Sequence, residues 1–256
     1  MKRQLFKSFL LLTLSLSIAS AQNLPSGLSV LQKLESQQKF KTDIASKVRL
    51  TQQKTGQGTK TMEMEYFRRD RDEAFLIHML APESDRGNGY LRSGDNMWMY
   101  RRNTRTFQHI NRDESIGGSD AKADDFETRN ITETYAVVKD QNGTEAIREE
   151  MLGKIPVFRI EVKAIVNDVD YPKKIWWISR DQFLLLKEEA YSKTTLMQTA
   201  YYLQYTQIDG RYVPVKQMFI DEFEKGNRTV VDLSEIKTKK LDDAIFTKAN
   251  LESLSK

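Results

Sequence analysis

The sequence of 256 residues contains no cysteine at all. Without thiols the chain forms no disulfide, builds no thiolate metal site, offers no cysteine nucleophile and carries no lipid attached through a cysteine. The fold must therefore be stabilised by core packing alone. The chain is long enough for this, because a protein of this size buries roughly 70% of the surface that its unfolded chain exposes.

Residues that commonly carry catalysis are also scarce. The two histidines, His78 and His109, lie far apart in the sequence, and no HExxH, CxxC or GxSxG motif is present. The segment Gly117-Gly118-Ser119-Asp120 lacks the lysine of a phosphate-binding loop. Adjacent acidic residues would point to opposite faces of a strand; these pairs are Asp124-Asp125, Glu149-Glu150 and Asp242-Asp243. The sequence therefore predicts a protein that is not an enzyme and has no metal site and no cofactor.

Net charge is low once the N-terminal segment is set aside. The chain has 40 basic and 36 acidic residues, which gives a formal charge of +4. Residues 1–21 contain Lys2, Arg3 and Lys7 and no acidic residue, so three of the four excess positive charges lie there. The remainder of the chain is nearly neutral, and no nucleic acid partner is expected.

Long hydrophobic runs are absent except near the N-terminus. There an apolar stretch from Phe9 to Ile18 follows the basic residues and precedes Ala19-Ser20-Ala21. A basic start, a short apolar run and a small-x-small site are typical of a secretory signal peptide, and the run is about half as long as a spanning helix. We expect residues 1–21 to be a signal peptide cleaved after Ala21, and residues 22–256 to form an exported protein without a transmembrane segment.

Hydrophobic periodicity predicts one helix followed by many strands. Residues 27–40 place Leu28, Leu31 and Leu34 at helical spacing, and Ser26 is a suitable N-cap. From residue 43 onward, apolar and polar residues alternate in short segments joined by tight turns, which indicates an antiparallel meander rather than βαβ units. We expect a mainly β (α+β) fold with a single domain, in which an unclosed antiparallel barrel of about eleven strands has helices on its concave face.

Several predicted strands are apolar on both faces, so both faces must be covered. Examples are residues 97–100 and 175–178. Methionine and aromatic side chains could form a deformable lining for acyl chains, and the alternative is that they form an ordinary core. The predicted lipid-binding residues are Met62, Met64, Tyr66, Phe75, Ile77, Met79, Trp98, Tyr100, Trp177, Leu184 and Leu186. Their choice depends on register, because a slip of one residue exchanges the two faces of a strand.

Three arginines form a basic hairpin tip between two aromatic residues. Arg101, Arg102 and Arg105 lie within five positions, between Tyr100 and Phe107. Such a tip could contact anionic lipid head groups or an acidic partner surface. The alternative is an ordinary charged hairpin loop.

Several motifs occur in a recognisable order along the chain. The central ones are Asp95 to Tyr100, Arg101 to Ile110, and Gly117 to Asp120, and the later ones are Tyr171-Pro172-Lys173, Ile208 to Pro214, Gly226 to Thr229 and Ile245 to Thr247. In this order they closely resemble the LolA/LolB-like outer-membrane lipoprotein-sorting protein family, over about residues 26–254. The chain departs from the family at Arg101-Arg102, where the family has a proline, and at Ala121, where the family has an aromatic residue.

The resemblance implies a fold and a function. It implies an unclosed β-barrel with a helical lid over an apolar cavity. It also implies a periplasmic carrier that binds lipoprotein acyl chains or other lipids, moves them toward the outer membrane and performs no covalent catalysis. We expect the lid to carry Leu28, Leu31 and Leu34 and to control release, and an inner-membrane exporter of the RND type is a partner that the resemblance suggests. The alternative is a non-enzymatic envelope adaptor that has a solid core and docks on a transporter.

Overall fold

The computed structural model describes residues 24–126, 130–167 and 169–256. The predicted signal peptide, residues 1–21, lies outside these ranges. The described helices are α1 (Gly27–Gln38), α2 (Ile131–Thr134) and α3 (Lys248–Leu254), with short 3-10 turns at Asp70–Asp72, Ile116–Gly118, Ala123–Phe126 and Asp243–Phe246. None of the helices in these ranges is long and apolar enough to cross a membrane.

Most of the described chain forms one large antiparallel sheet. Its strands are β1 (Ile44–Lys54), β2 (Gly58–Arg69), β3 (Ala74–Ala81), β4 (Gly89–Ser93), β5 (Asn96–Arg101), β6 (Thr106–His109), β7 (Tyr135–Val137), β8 (Ile147–Leu152), β9 (Ile155–Ala164), β10 (Lys173–Ser179), β11 (Leu185–Ser192), β12 (Thr195–Ile208), β13 (Arg211–Asp221) and β14 (Arg228–Thr238). The expected count of about eleven strands is too low. Short segments pair as separate strands, and β7 and β8 both pair with β9.

The strand order follows from the hairpins and from one long-range pairing. The order is β6-β5-β4-β3-β2-β1-β14-β13-β12-β11-β10-β9-β7, with β8 also on β9. The first and last strands pair in the middle of the sheet, where Val48 lies opposite Leu233. The outermost strands, β6 and β7, do not pair with each other in the described residues, so the sheet is unclosed as expected.

Helices pack on both faces of the sheet. Val30, Leu31 and Leu34 of α1 are buried on one face, together with side chains of β9, β10 and β11. We call this side the α1 face. On the opposite side, the α3 face, Leu251 of α3 packs with Leu76, Leu91 and Tyr100. The expectation that helices cover only one face was therefore incomplete, because the doubly apolar strand β5 is covered on its second face by the C-terminal helix.

A long connection covers the α1 face of β1 to β5. We call residues 110–126 the cover segment, and its buried side chains are Ile110, Ile116, Ala121, Ala123 and Phe126. Backbone groups of its two glycines are anchored to the sheet. The Gly117 amide donates to Tyr90 Oη at 3.0 Å, and Gln52 Nε2 donates to the Gly118 carbonyl at 2.7 Å. Gly117 has a φ of +61°, and an added Cβ would lie 2.4 Å from Met62 Sδ, so a side chain has no room there.

Candidate functional site

A cavity of about 170 Å³ lies on the α1 face of the sheet. It is bounded by the C-terminal end of α1, by the end of the cover segment and by side chains of β2 and β10 to β14. Its aromatic lining residues are Phe40, Tyr66, Phe126, Tyr135, Trp176, Tyr202, Tyr212 and Phe219. We call this space the main cavity because of its aromatic lining, and other cavities on the protein have larger volumes. Large rings give it apolar area at a low cost in rotamer entropy, which suits a binding site for an apolar group.

The charged groups of the main cavity compensate one another. Arg68 and Lys174 are the cationic lining residues, and Asp125 and Glu188 are the acidic ones, so the lining carries no formal net charge. Glu188 accepts hydrogen bonds from Lys174 Nζ at 2.8 Å and from the indole Nε1 of Trp176 at 2.6 Å. Since these donors and acceptors satisfy each other, an apolar guest would leave no charge without a partner.

Tyrosines on this face are hydrogen-bonded and remain protonated. The Tyr66 hydroxyl donates to the Phe126 carbonyl, and burial raises the pKa of Tyr66 above its ordinary value. The Tyr205 hydroxyl donates to the Leu185 carbonyl at 2.6 Å, and burial likewise raises the pKa of Tyr205. Phenols held in this way are poor proton acceptors. In the described ranges, no group of three histidine or acidic residues is placed to hold a metal ion.

Six of the predicted lipid-binding residues share the α1 face. Met62, Met64, Tyr66, Phe75, Ile77 and Met79 all belong to the buried cluster beneath the cover segment. Of these, only Tyr66 borders the main cavity. Met79 borders a second cavity of about 260 Å³, which also contacts Arg101, Tyr90 and Glu114. Met64 also borders a cavity of about 660 Å³, and Met62, Phe75 and Ile77 are buried.

Trp98 and Tyr100, also predicted to bind lipid, lie on the α3 face, away from the main cavity. They pack with Leu76, Leu91 and Leu251, and Lys248 Nζ lies 4.1 Å from the ring centre of Trp98. Residues 97–100 are apolar on both faces, so alternation alone gives no sign of which side faces the cover segment. Met97 and Met99 are the ones that pack there.

Trp177 and Leu186, which the sequence also predicts to bind lipid, lie away from the main cavity as well. They belong to a cluster with Val157 and Ile175 on the face opposite to Trp176. Trp177 is covered by cationic side chains, with Lys187 Nζ 4.3 Å from its ring centre, and its indole donates to Glu150. Long aliphatic stems of basic residues hide the ring from water there.

The other leucine of the predicted lipid-binding residues, Leu184, immediately precedes β11. Leu184 is buried, and its amide donates to Ser179 Oγ at 3.0 Å. Its neighbour Leu185 borders the main cavity and Leu184 does not. Runs of adjacent apolar residues such as Leu184 to Leu186 do not mark which side chain faces the cavity.

The sequence reasoning missed most of the cavity's aromatic residues. Trp176 and Tyr202 face the main cavity, whereas Trp177 and Tyr201 beside them contact Lys187 on the opposite face. The doubled aromatics Trp176-Trp177 and Tyr201-Tyr202 were the available signal. Tyr212 and Phe219 of β13 carried no signal beyond ordinary alternation.

The predicted lid leucines divide into two groups. Leu31 and Leu34 are buried beneath α1, whereas Leu28 is 53% exposed. Polar contacts also attach α1 at both ends. The Gly27 amide donates to Glu145 Oε2 at 2.6 Å, and Glu35 accepts from the amide and hydroxyl of Thr132 at 3.0 and 3.1 Å.

The three arginines lie at an exposed hairpin tip, as the sequence indicated. Arg101, Arg102 and Arg105 are all exposed around the turn between β5 and β6. The Arg102 amide donates to Asn88 Oδ1 at 3.0 Å, which holds the turn against the preceding loop.

Comparison with known proteins places this arrangement in a known fold. No curated protein matches the sequence. A LolA superfamily protein from Nitrosomonas europaea has a TM-score of 0.74 at 21% identity, over 88% of this chain and 99% of that one. An outer membrane lipoprotein-sorting protein domain from Vibrio parahaemolyticus has a TM-score of 0.76 at 18% identity, over 88% and 98%. A DUF1329 family protein from Desulfovibrio piger has a TM-score of 0.76 at 20% identity, over 88% and 97%.

A sequence family model assigns the chain to a family, and the solved structures show its fold. A family model with the description "-like: Uncharacterized protein" matches residues 71–253. The solved structures confirm the LolA-like resemblance indicated by the motifs. The chain belongs to the family of uncharacterized proteins that this model describes, and it has the LolA-superfamily fold.

Proposed function

We propose that this protein is a periplasmic carrier that shelters the acyl chain of a lipid or lipoprotein in the main cavity beneath α1. The observation that carries the proposal is the cavity itself, which is lined by aromatic rings and has no net charge. The LolA-like fold, the similarity to a lipoprotein-sorting domain and the predicted signal peptide support it. Lys174 and Glu188 of the lining are hydrogen-bonded to each other, so the proposed role is binding rather than catalysis.

The cavity volume indicates that cargo enters by displacing part of the cover. An apolar cavity of about 150 Å³ holds one benzene molecule, so a space of about 170 Å³ accepts only the end of an acyl chain. A complete chain therefore needs α1 or the cover segment to move away from the sheet. Since α1 buries Val30, Leu31 and Leu34 on this face, moving it would open a continuous apolar surface.

The energies of this exchange are close to balance. Each sequestered methylene contributes about 0.8 kcal/mol, so a chain of about fourteen carbons gains roughly 10 kcal/mol before ordering costs. Exposing the three buried side chains of α1 costs about 5 to 9 kcal/mol at about 1.5 to 3 kcal/mol each. The gross gain and the cost of displacing α1 are therefore of similar size, which is compatible with reversible binding of cargo. Movement toward the outer membrane and partnership with an RND-type exporter remain predictions from the resemblance.

A second candidate function is an envelope adaptor with a solid core. The specific observation in its favour is the packing beneath the cover segment, where Met62, Met64 and Ile77 are fully buried. If the main cavity never opens, the protein would act through its surface, by docking on a membrane transporter.

A titration with a fluorescent fatty acid tests the proposal against this alternative. Leu233 borders the main cavity, and Leu233→Trp would fill it. Leu186→Trp is the matched control, because Leu186 is also partly buried but lies on the opposite face. We expect the wild-type protein and Leu186→Trp to bind the probe equally, and Leu233→Trp to bind at least tenfold more weakly. Equal binding by all three proteins, or no binding by any, contradicts the proposal.

A further inference from the structure

The turn between β5 and β6 carries a concentration of positive charge. Arg101, Arg102 and Arg105 are exposed, and none of them forms an ion pair with any other described residue. Because the protein outside residues 1–21 is nearly neutral, this turn is a local positive feature on a surface of balanced charge. We call the three side chains the arginine tip.

The backbone holds the arginine tip in a defined position. An added Cβ on Gly87 would lie 2.5 Å from Arg102 Cδ, so the stem of Arg102 lies across the loop before β4. Arg105 has a φ of +53°, a conformation that glycine or asparagine adopts more readily than arginine. The turn geometry therefore does not explain why an arginine occupies this position. A function of its positive charge would explain it.

Aromatic side chains lie directly beside the arginine tip on the α3 face. The rings of Tyr100 and Phe107 are 4.7 Å apart, and Trp98 contacts His109 edge to face at 6.0 Å. Lys248 Nζ lies 5.3 Å from the Phe107 ring centre and adds another cation. Tyr100 is buried, whereas Trp98 and Phe107 are half-buried beside the basic residues, a position typical of aromatic side chains at a membrane–water interface.

The sheet edge at this hairpin is poorly suited to a peptide partner. β6 is the terminal strand of the sheet and has only four residues. A short edge strand beside charged residues discourages the addition of another strand. A partner with a flat charged surface needs no backbone pairing with β6, so such a partner is compatible with this geometry.

We propose that the arginine tip docks the protein on an anionic phospholipid surface. Each basic side chain near such a surface strengthens binding about fivefold, so the three arginines together contribute roughly 100-fold. Because the attraction is electrostatic and exposed, it weakens as salt shortens the screening length. Arg101 also borders the second cavity, so docking through the tip brings that opening close to the lipid head groups. This inference concerns docking and stands separately from the proposed binding of cargo.

Vesicle sedimentation tests the docking surface with matched variants of the whole protein. The vesicles contain phosphatidylcholine alone or phosphatidylcholine with about one third phosphatidylglycerol, at about 50 mM and about 500 mM salt. The test variant is Arg101→Gln/Arg102→Gln/Arg105→Gln. The control variant is Lys237→Gln/Lys239→Gln/Lys240→Gln, which removes the same charge from three exposed lysines at and just after the C-terminal end of β14. This position is at the opposite end of the strands from the turn between β5 and β6.

Wild-type protein and the lysine variant should bind the anionic vesicles at low salt and dissociate at high salt. The arginine variant should bind roughly 100-fold more weakly, and none of the proteins should bind neutral vesicles. An equal loss in both variants would indicate general attraction by net charge and would overturn the proposal. An absence of vesicle binding by wild-type protein would also overturn it and would leave an acidic protein surface as the partner. The fatty-acid titration of the arginine variant distinguishes the two proposals, since normal probe binding shows that the cavity is intact.

Discussion

Glu188 of β11 accepts a hydrogen bond from the indole of Trp176 on β10, with a distance of 2.6 Å between Oε2 and Nε1. This contact fixes the edge of one cavity-lining ring and places a carboxylate beside an apolar space. The other Glu188 oxygen accepts from Lys174 at 2.8 Å, so a buried ion pair and an aromatic wall belong to one unit. Trp177, the next residue, has its indole on the other face and donates to Glu150 instead. Each indole nitrogen of this doubled aromatic therefore has its own carboxylate.

The ion pair beside Trp176 predicts a strong thermodynamic coupling. Glu188→Gln removes the carboxylate charge that Lys174 Nζ contacts at 2.8 Å in a poorly hydrated position, and we expect a loss of about 2 to 4 kcal/mol in the free energy of unfolding. Adding Lys174→Gln should recover part of this loss, with a coupling energy of about 1 to 3 kcal/mol in a double-mutant cycle by urea denaturation. Strictly additive effects of the two substitutions would show that the pair does not interact.

The contact between α1 and β7 predicts how the cover can be loosened. An added Cβ on Gly27 would lie 2.5 Å from Val137 Cγ2, so Gly27→Ala should push the start of α1 away from the sheet and cost about 1 to 3 kcal/mol of stability. Because the obstructing atom is in a side chain, Val137→Ala should restore space and rescue the alanine variant. Stopped-flow binding of the fatty acid should be faster in Gly27→Ala than in the rescued double variant. Unchanged association rates would show that α1 does not control entry.

Low pH should destabilise the face of β9 to β11 that lies opposite to the α1 face. Burial alone would raise the pKa of Glu189, but hydrogen bonds from Lys187 and Tyr191 outweigh it, and the pKa lies below its ordinary value. The pKa of Glu161 is also lowered, because hydrogen bonding to Arg159 and the charge of Lys173 outweigh burial. A carboxyl group whose pKa is lower in the folded state than in the unfolded state stabilises the protein at pH values above its unfolded-state pKa, about 4.3. This stabilisation is lost as the pH falls through the folded-state pKa.

The measurement for this prediction is the midpoint of acid unfolding. Glu161→Gln/Glu189→Gln should be less stable than wild-type protein at neutral pH, and the difference should shrink as pH falls below about 4. A constant difference between the two proteins over this pH range would contradict the prediction. Burial, and to a lesser extent the hydrogen bond to Glu189, raises the pKa of Tyr191 to about 12. The phenol of Tyr191 therefore stays protonated throughout this acid titration.

Alternation with charged residues is what made part of the arrangement predictable. In β2, Glu63 and Glu65 separate Met62, Met64 and Tyr66, so the wet face is marked by charge and the apolar face is assigned unambiguously. Val48 and Leu50 of β1 are separated by Arg49 in the same way. The structure places all these apolar residues together on the α1 face.

The remaining assignments depended on contacts that are distant in the sequence. Trp98 packs on α3, which comes about 150 positions later, and Trp177 is covered by Arg159 and Lys187 of the flanking strands. Local periodicity carries no information about such cover. The cover segment itself lacks any period, so its placement over Met62 and Met64 could not be read from the sequence.

Native mass spectrometry of the protein purified gently from envelope membranes tests the central claim most directly. The account predicts wild-type protein carrying one lipid or acylated species, and Leu233→Trp, with its main cavity filled, carrying none. Leu186→Trp should carry the same species as wild-type protein, since its substitution lies on the other face. Wild-type protein that is recovered without any bound lipid, or Leu233→Trp that retains the same lipid, would contradict the account.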